Sequence, residues 1–205
     1  KVENMTYPQF FNNIPTIKLQ DDLAYLLGAF EDGLIEFSYL DLIKSAGHSC
    51  PTVLGAYLMT LQGLKALHEN EIAKRGNILV EFKEKQIDGV AGVIGSVITN
   101  ITGSTTTNGF KGLAGKHDRN NLMNFEKDIS GASVRFTRLD TQKSVDVFYN
   151  ASMILPHPSM NSLMQKCIQG SATNEEKIEF GKVWQKRVED ISNNIEEVIK
   201  VNIKE

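Results

Sequence analysis

The sequence has few cysteines, no marked excess of charge of one sign and no long apolar run. Its two cysteines, Cys50 and Cys167, form no CxxC pair, which excludes a disulfide framework and a zinc finger built on paired cysteines. A net charge of -3 and the lack of a basic stripe give no basis for a nucleic-acid partner. No run approaches the roughly 20 apolar residues that a membrane span needs. We therefore expect no nucleic-acid or membrane partner, and a cytoplasmic protein.

The length and composition predict one folded domain. The 205 residues, 41% of them hydrophobic, are enough to bury a core without disulfides or a metal. Helical and strand patterns are mixed along the chain, which favours an α+β fold with a mixed or antiparallel sheet packed by helices. We expect residues 1–19 to be an N-terminal extension and residues 171–205 to form a long C-terminal helix.

Apolar periodicity and turn residues predict the elements of this fold. The most secure is a helix over 51–68, where apolar residues recur at helical spacing. Strands are expected at 34–39 and 77–83, and a hairpin from two strands around 134–136 and 145–147. The remaining helices are expected at 21–30, at 89–101 with three glycines on one face, and at 161–169.

The last helix has its own start signal. Thr173 and Glu176 form a capping-box pattern, with Thr173 as N-cap and Glu176 at the third helical position. A seam of apolar residues then steps along the helix by four and three. This seam predicts docking on the body of the domain or pairing with another copy of the chain. Its residues are Trp184, Val188, Ile191, Ile195 and Val198.

The most informative stretch is Gly47-His48-Ser49-Cys50-Pro51. Proline suits the first position of a helix, so Pro51 makes Cys50 the expected N-cap, at the positive end of the helix dipole. A thiol placed there ionises more readily, and thiolate is the form that attacks carbon or binds metal. His48 is then a second metal ligand, a general base, or a cation that lowers the pKa of the thiol.

These residues resemble the HGHxCPG signature of the FmdE-like family, which takes its name from formylmethanofuran dehydrogenase. The resemblance covers roughly residues 20 to 195, and Asp88-Gly89, Gly115-Lys116 and the segment from Gly170 to Glu176 follow in the family's order. It implies an α+β core domain, often a homodimer, with a metal near the His-x-Cys signature. Ala46 stands where many members have the first histidine, and the C-terminal zinc-finger appendage of some members is missing.

The site residues follow from the signature and its neighbours. His48 and Cys50 offer one nitrogen and one sulfur ligand, a pair that suits zinc or another borderline divalent metal. His117 is the first choice for a third ligand. Lys116, which matches a family position, is expected to hold an anionic group near the metal, and the hydroxyl-rich loop with Thr105 is a candidate pocket lining.

Three functions are compatible with this site. The first is a metal-binding protein accessory to a redox or molybdenum/tungsten-enzyme system. The second is a thiol-dependent enzyme with Cys50 as nucleophile and His48 as base. The third is a carrier of a small ligand or cofactor, with its pocket covered by residues 89–116.

Overall fold

The structure, a computed structural model, describes residues 5–204 and has an α+β fold of seven helices and two sheets in that range. The predicted fold class is therefore confirmed. The helices are α1 Asp22–Leu26, α2 Tyr39–Ala46, α3 Pro51–His68, α4 Ala91–Thr102, α5 Met160–Ile168, α6 Asn174–Ser192 and α7 Ile195–Val198.

The larger sheet has five strands in the order β5-β4-β6-β7-β8. Only β5 and β4 pair in parallel, and the other neighbours are antiparallel. The predicted hairpin is confirmed as β6 and β7, with Val134 opposite Val147. The strands are β4 Ile78–Glu81, β5 Met123–Asn124, β6 Val134–Arg138, β7 Ser144–Tyr149 and β8 Ile199–Lys204.

The smaller sheet contains a strand from the N-terminal part of the chain, and the apolar side chains of that strand are buried in the core. Its order is β2-β1-β3, with β1 Ile17–Gln20 central, β2 Leu34–Phe37 antiparallel to it and β3 Ala73–Lys74 parallel. The segment predicted as an N-terminal extension, 1–19, packs into the domain from Phe10 onward, and residues 1–4 lie outside the described range. The segment supplies five apolar side chains to the core, which are those of Phe10, Phe11, Ile14, Ile17 and Leu19.

Helix α3 lies at the centre of the molecule. It packs on the five-stranded sheet on one side and on α2, α4 and α6 on others, so most of its residues are buried. Two glycines allow the sheet to approach closely. A Cβ at Gly55 would lie 2.3 Å from the ring of Tyr149, and one at Gly63 would lie 2.7 Å from the ring of Phe136.

The C-terminal segment differs from the single helix predicted over 171–205. The capping box of Thr173 and Glu176 is confirmed, but α6 ends at Ser192, α7 is short, and β8 follows. Asn193 and Asn194 are weak helix formers, and the alternating apolar residues that follow suit a strand. Six residues of β8 pair with β7, so sheet hydrogen bonds replace those of a continued helix. Residue 205 lies outside the described range.

The helix predicted over 21–30 is also shorter, because α1 ends at Leu26 and Gly28 adopts a left-handed conformation with φ +68°. Its N-cap, Asp21, accepts hydrogen bonds from the backbone N–H of Leu23 and Ala24. The same buried carboxylate binds Arg75 at 3.0 Å and Arg119 at 2.7 Å. Asp21 thereby joins β1, β3 and the 105–122 loop.

We predict that Asp21→Asn destabilises the fold by about 3 kcal/mol, because it leaves the buried guanidinium of Arg119 and the partly buried one of Arg75 without a balancing charge. Burial raises the pKa of Asp21, but the hydrogen bond from Arg75 and the charge of Arg119 hold it below the ordinary value of 3.8. A carboxylate with a lowered pKa stabilises the fold above its unfolded pKa, and that stability is lost as the pH falls further.

Urea unfolding of the wild type and of Asp21→Asn from neutral pH to about pH 2 measures both effects. The wild type should lose stability below about pH 4, and part of that dependence should be missing in the variant. If the wild type and Asp21→Asn have equal unfolding free energies at neutral pH, the ion pairs of Asp21 do not stabilise the fold.

Candidate functional site

The Gly47–Pro51 stretch is the tight connection between α2 and α3. Gly47 ends α2 in a left-handed conformation with φ +78°, and its N–H donates to the carbonyl of Ile43. Cys50 is the N-cap of α3, and Pro51 is its first residue, as predicted. Four residues, Gly47 to Cys50, therefore connect the end of α2 to the start of α3.

The thiol of Cys50 contacts the N-terminus of α3. The backbone N–H of Val53 donates to Cys50 Sγ at 3.4 Å, and the side chain is half-buried. The half-buried Tyr149 contacts the same helix end. Tyr149 donates from its hydroxyl to the carbonyl of Pro51 at 2.8 Å. Burial raises the pKa of Tyr149 to about 12, so it remains a neutral hydrogen-bond donor.

The imidazole of His48 is exposed and is oriented by the backbone. Its Nδ1 lies 3.1 Å from the carbonyl oxygen of Ala46. A carbonyl only accepts, so Nδ1 donates to it, and in the neutral ring Nε2 then holds the lone pair that another partner can use. Metal-binding histidines have this arrangement, with the second nitrogen donating to a carbonyl or carboxylate.

Helix α6 holds this connection from the other side. Trp184 Nε1 and Gln185 Nε2 both donate to the carbonyl oxygen of Ser49, at 3.0 and 3.1 Å. The hydroxyl of Ser49 meets that of Tyr39 at 3.0 Å in a buried contact. The sequence placed Trp184 on an apolar seam but gave no signal for Gln185 or Tyr39, since their roles depend on contacts distant in sequence.

The other predicted site residues lie elsewhere. His117 lines a polar cavity with Arg75 and Arg119, and its backbone is left-handed with φ +63°. Lys116 is exposed on the small loop that closes with Leu113. Thr105 donates from its hydroxyl to the carbonyl of Arg119 at 2.7 Å, so this group fixes the loop internally.

The positions of His48, Cys50 and His117 decide which metal-binding or nucleophilic sites one chain can form. Within residues 5–204, no three His, Cys, Asp or Glu side chains come together as a metal-binding group. The structure therefore does not bring His117 to the pair of His48 and Cys50. Nor does any hydrogen bond join His48 to Cys50 in the described range, although a nucleophile and its base need such a contact.

An apolar cavity of about 370 Å³ borders the same part of the molecule. Tyr149 lines it with Met59 and Phe82, and the carboxylates of Glu84 and Asp88 lie at its edge. Since Tyr149 also bonds to the first residue of α3, its side chain connects this cavity to the Cys50 end of the helix.

The fold and site define an α+β protein with a half-buried thiol at the start of its central helix and an exposed histidine two residues earlier. The model of the family described as FmdE, Molybdenum formylmethanofuran dehydrogenase operon, matches residues 46–200. The chain belongs to this family. No curated protein matches it. No helix in the described range has the length and apolarity to cross a membrane.

We predict that Cys50 can be replaced by serine without loss of stability. Serine is a preferred N-cap and accepts the same hydrogen bond from Val53, whereas alanine leaves that N–H unpaired. Urea unfolding should place Cys50→Ser within about 0.5 kcal/mol of the wild type and Cys50→Ala about 1 kcal/mol below it. A serine variant as unstable as the alanine variant would show that the cap contributes nothing.

Proposed function

We propose that this protein binds a divalent transition metal, most suitably zinc, through His48 and Cys50, and that it is accessory to a redox or molybdenum/tungsten-enzyme system. The observation that carries the proposal is the orientation of His48, whose Nδ1 binds the Ala46 carbonyl and leaves Nε2 available two residues from a thiol. The family's description, which names a molybdenum enzyme operon, supports the accessory role.

The donor set suits this group of metals. Cysteine and histidine are ligands that zinc prefers in proteins. The cysteine binds as the thiolate and the histidine as the neutral imidazole, so binding requires the deprotonated form of each. At the N-terminus of α3, the Val53 N–H already donates to Cys50 Sγ and can donate in the same way to a metal-bound sulfur. The remaining coordination positions would be filled by water, a bound molecule or a second copy of the chain. Such an incomplete protein ligand set is typical of sites that act on a ligand.

We predict that protein purified without a metal-affinity tag binds close to one metal ion per chain, and that Cys50→Ser and His48→Asn each lower the affinity at least tenfold. Elemental analysis gives the stoichiometry. Titration with Co²⁺ gives the affinity and shows sulfur ligation through the thiolate-to-cobalt absorption band. The serine variant keeps the helix cap, so loss of metal there reports ligation and not unfolding.

Matched controls exist in the same chain. Cys167→Ser removes the other cysteine, which is also half-buried, and His157→Asn removes an exposed histidine outside the site. Neither should change metal content. His117→Asn tests the predicted third ligand directly. Unchanged stoichiometry and cobalt spectrum in Cys50→Ser would overturn the proposal, and rapid selective alkylation of Cys50 in metal-free protein would then favour a thiol-dependent enzyme.

We further propose that the chain forms a homodimer through the segment from α1 to β2. Four large apolar side chains are exposed there: Tyr25, Leu26 and Leu27 are 63%, 59% and 62% exposed, and Phe30 is 49% exposed. Strand β2 is the outer strand of its sheet, with unpaired backbone groups. A twofold axis beside such a strand would pair it with its own copy and bury these side chains.

We predict that Leu27→Lys shifts the molar mass measured by light scattering from two chains to one. A charged side chain in the centre of an apolar interface is costly to bury. The control is Ile178→Lys on α6, where an isoleucine of 60% exposure lies outside the segment. A monomeric wild type, or equal masses for both variants, would contradict the interface.

A further inference from the structure

The residue between the two proposed metal ligands is held by helix α6. Ser49 follows His48 and precedes Cys50, and its carbonyl oxygen accepts two hydrogen bonds. The donors are Trp184 Nε1 at 3.0 Å and Gln185 Nε2 at 3.1 Å, which come 135 and 136 positions later in the chain. The connection between α2 and α3 is therefore fixed by a third helix.

The side chain of Ser49 is fixed as well. Its hydroxyl lies 3.0 Å from that of Tyr39 on α2, and this contact is buried. Hydrogen bonds at both the carbonyl and the hydroxyl leave the peptide group between residues 49 and 50 little freedom to rotate. Because this peptide group lies between the two ligands, its orientation sets the position of Cys50 relative to His48.

The second donor to this carbonyl is more than the fold requires. A buried carbonyl oxygen is satisfied once it accepts one hydrogen bond, and Trp184 supplies that bond. The bond from Gln185 has a cost, because Gln185 Oε1 is buried and has no hydrogen-bond partner among residues 5–204. A buried acceptor without a partner destabilises a fold, and an apolar side chain of the same length would avoid this. The amide at position 185 therefore serves the orientation of Ser49 more than it serves stability.

Trp184 lies where two groups of apolar side chains meet. One group is the main core, which includes Val188 of the same helix. The other is a small cluster formed by α5 and α6, which includes Leu163. Trp184 packs against both groups. A change in the packing of α5 and α6 is therefore transmitted through the indole ring to the carbonyl of Ser49.

We propose that Trp184 and Gln185 are positioning residues of the metal site, so that the metal affinity of His48 and Cys50 depends on the packing of α5 and α6. This rests on the metal site proposed above. Loss of either donor frees the peptide group of Ser49, so the two ligands must then be ordered when metal binds, and the lost entropy weakens binding. The coupling is reciprocal, so α6 is packed more firmly when the site is occupied.

The wild-type protein contains its own reporter of this coupling, because Trp184 is the one tryptophan of the chain. Zn²⁺ is titrated into metal-free protein while the emission of Trp184 is recorded. We expect a saturable shift in the emission, which should be lost in Cys50→Ser. Binding of zinc detected by elemental analysis without any change in the emission would contradict the coupling.

Two variants remove one donor each. Gln185→Met keeps the length of the side chain, and Trp184→Phe keeps an aromatic ring. Each should weaken Co²⁺ binding about tenfold and shift the thiolate-to-cobalt absorption band, because Cys50 is no longer held in one orientation. The urea midpoint of Gln185→Met should equal or exceed that of the wild type, since the variant loses a hydrogen bond and also the unpartnered acceptor. A residue that only supports the fold would lower the midpoint.

A measurement on metal-free protein tests the positioning of Cys50 without the metal. Its rate of alkylation by iodoacetamide should rise about threefold in Gln185→Met, because a less constrained connection exposes the thiol more often. The half-buried Cys167 is the internal reference and should react at an unchanged rate. The matched control is Gln142→Met, because Gln142 Nε2 also donates to a carbonyl, that of Leu139 in the β6–β7 turn at 2.8 Å.

The possible outcomes separate the two proposals. If both variants bind Co²⁺ as tightly as the wild type and Cys50 reacts at the wild-type rate, α6 does not position the site, and the metal site stands. If the wild type binds no metal, the metal site is wrong, and the alkylation rates decide whether α6 positions Cys50. If Trp184→Phe is unfolded in the absence of urea, Gln185→Met decides the outcome.

Discussion

The burial of helix α3 on nearly every side is the constraint on which the arrangement of this molecule depends. The five-stranded sheet covers one side, and α2, α4 and α6 cover others. At Gly55 and Gly63 the helix backbone packs directly against the rings of Tyr149 and Phe136. These close contacts fix the position of the helix along its axis. A helix held in this way has an N-terminus whose location is set by the whole domain.

That fixed helix end is what positions the candidate metal ligands. Cys50 is held by the first turn of α3, and the connection before it is held by hydrogen bonds from α6 to Ser49. His48 projects from the same connection with its ring oriented by a carbonyl. Rigid surroundings and one exposed ligand suit a site that is preformed yet open to a partner, a ligand or a second copy.

The buried Asp21 provides a second fixed point. It caps α1 and pairs with two arginines that come from β3–β4 and from the 105–122 loop, so one carboxylate joins three parts of the chain. Both arginines also line a polar cavity, together with carboxylates from other parts of the chain.

Local sequence determined much of this structure. Pro51 after Cys50 predicts a capped helix start, the Thr173–Glu176 pair predicts the start of α6, and alternating residues predict the hairpin of β6 and β7. Each of these signals lies within a few residues and acts through backbone conformation or hydrogen bonds at short range. The α+β class and the His-x-Cys pair were therefore predictable.

Only the tertiary structure decided the rest. The alternating apolar residues at 199–204 suit a strand, but only the tertiary structure shows that the edge of β7 is there to pair with them. His117 was separated from His48 and Cys50 and placed beside Arg119, although its position near Gly115-Lys116 suggested a ligand. The contacts of Gln185 with Ser49 and of Asp21 with Arg119 join residues about a hundred or more positions apart. Such contacts arise from packing of the whole chain, so short-range sequence patterns cannot predict them.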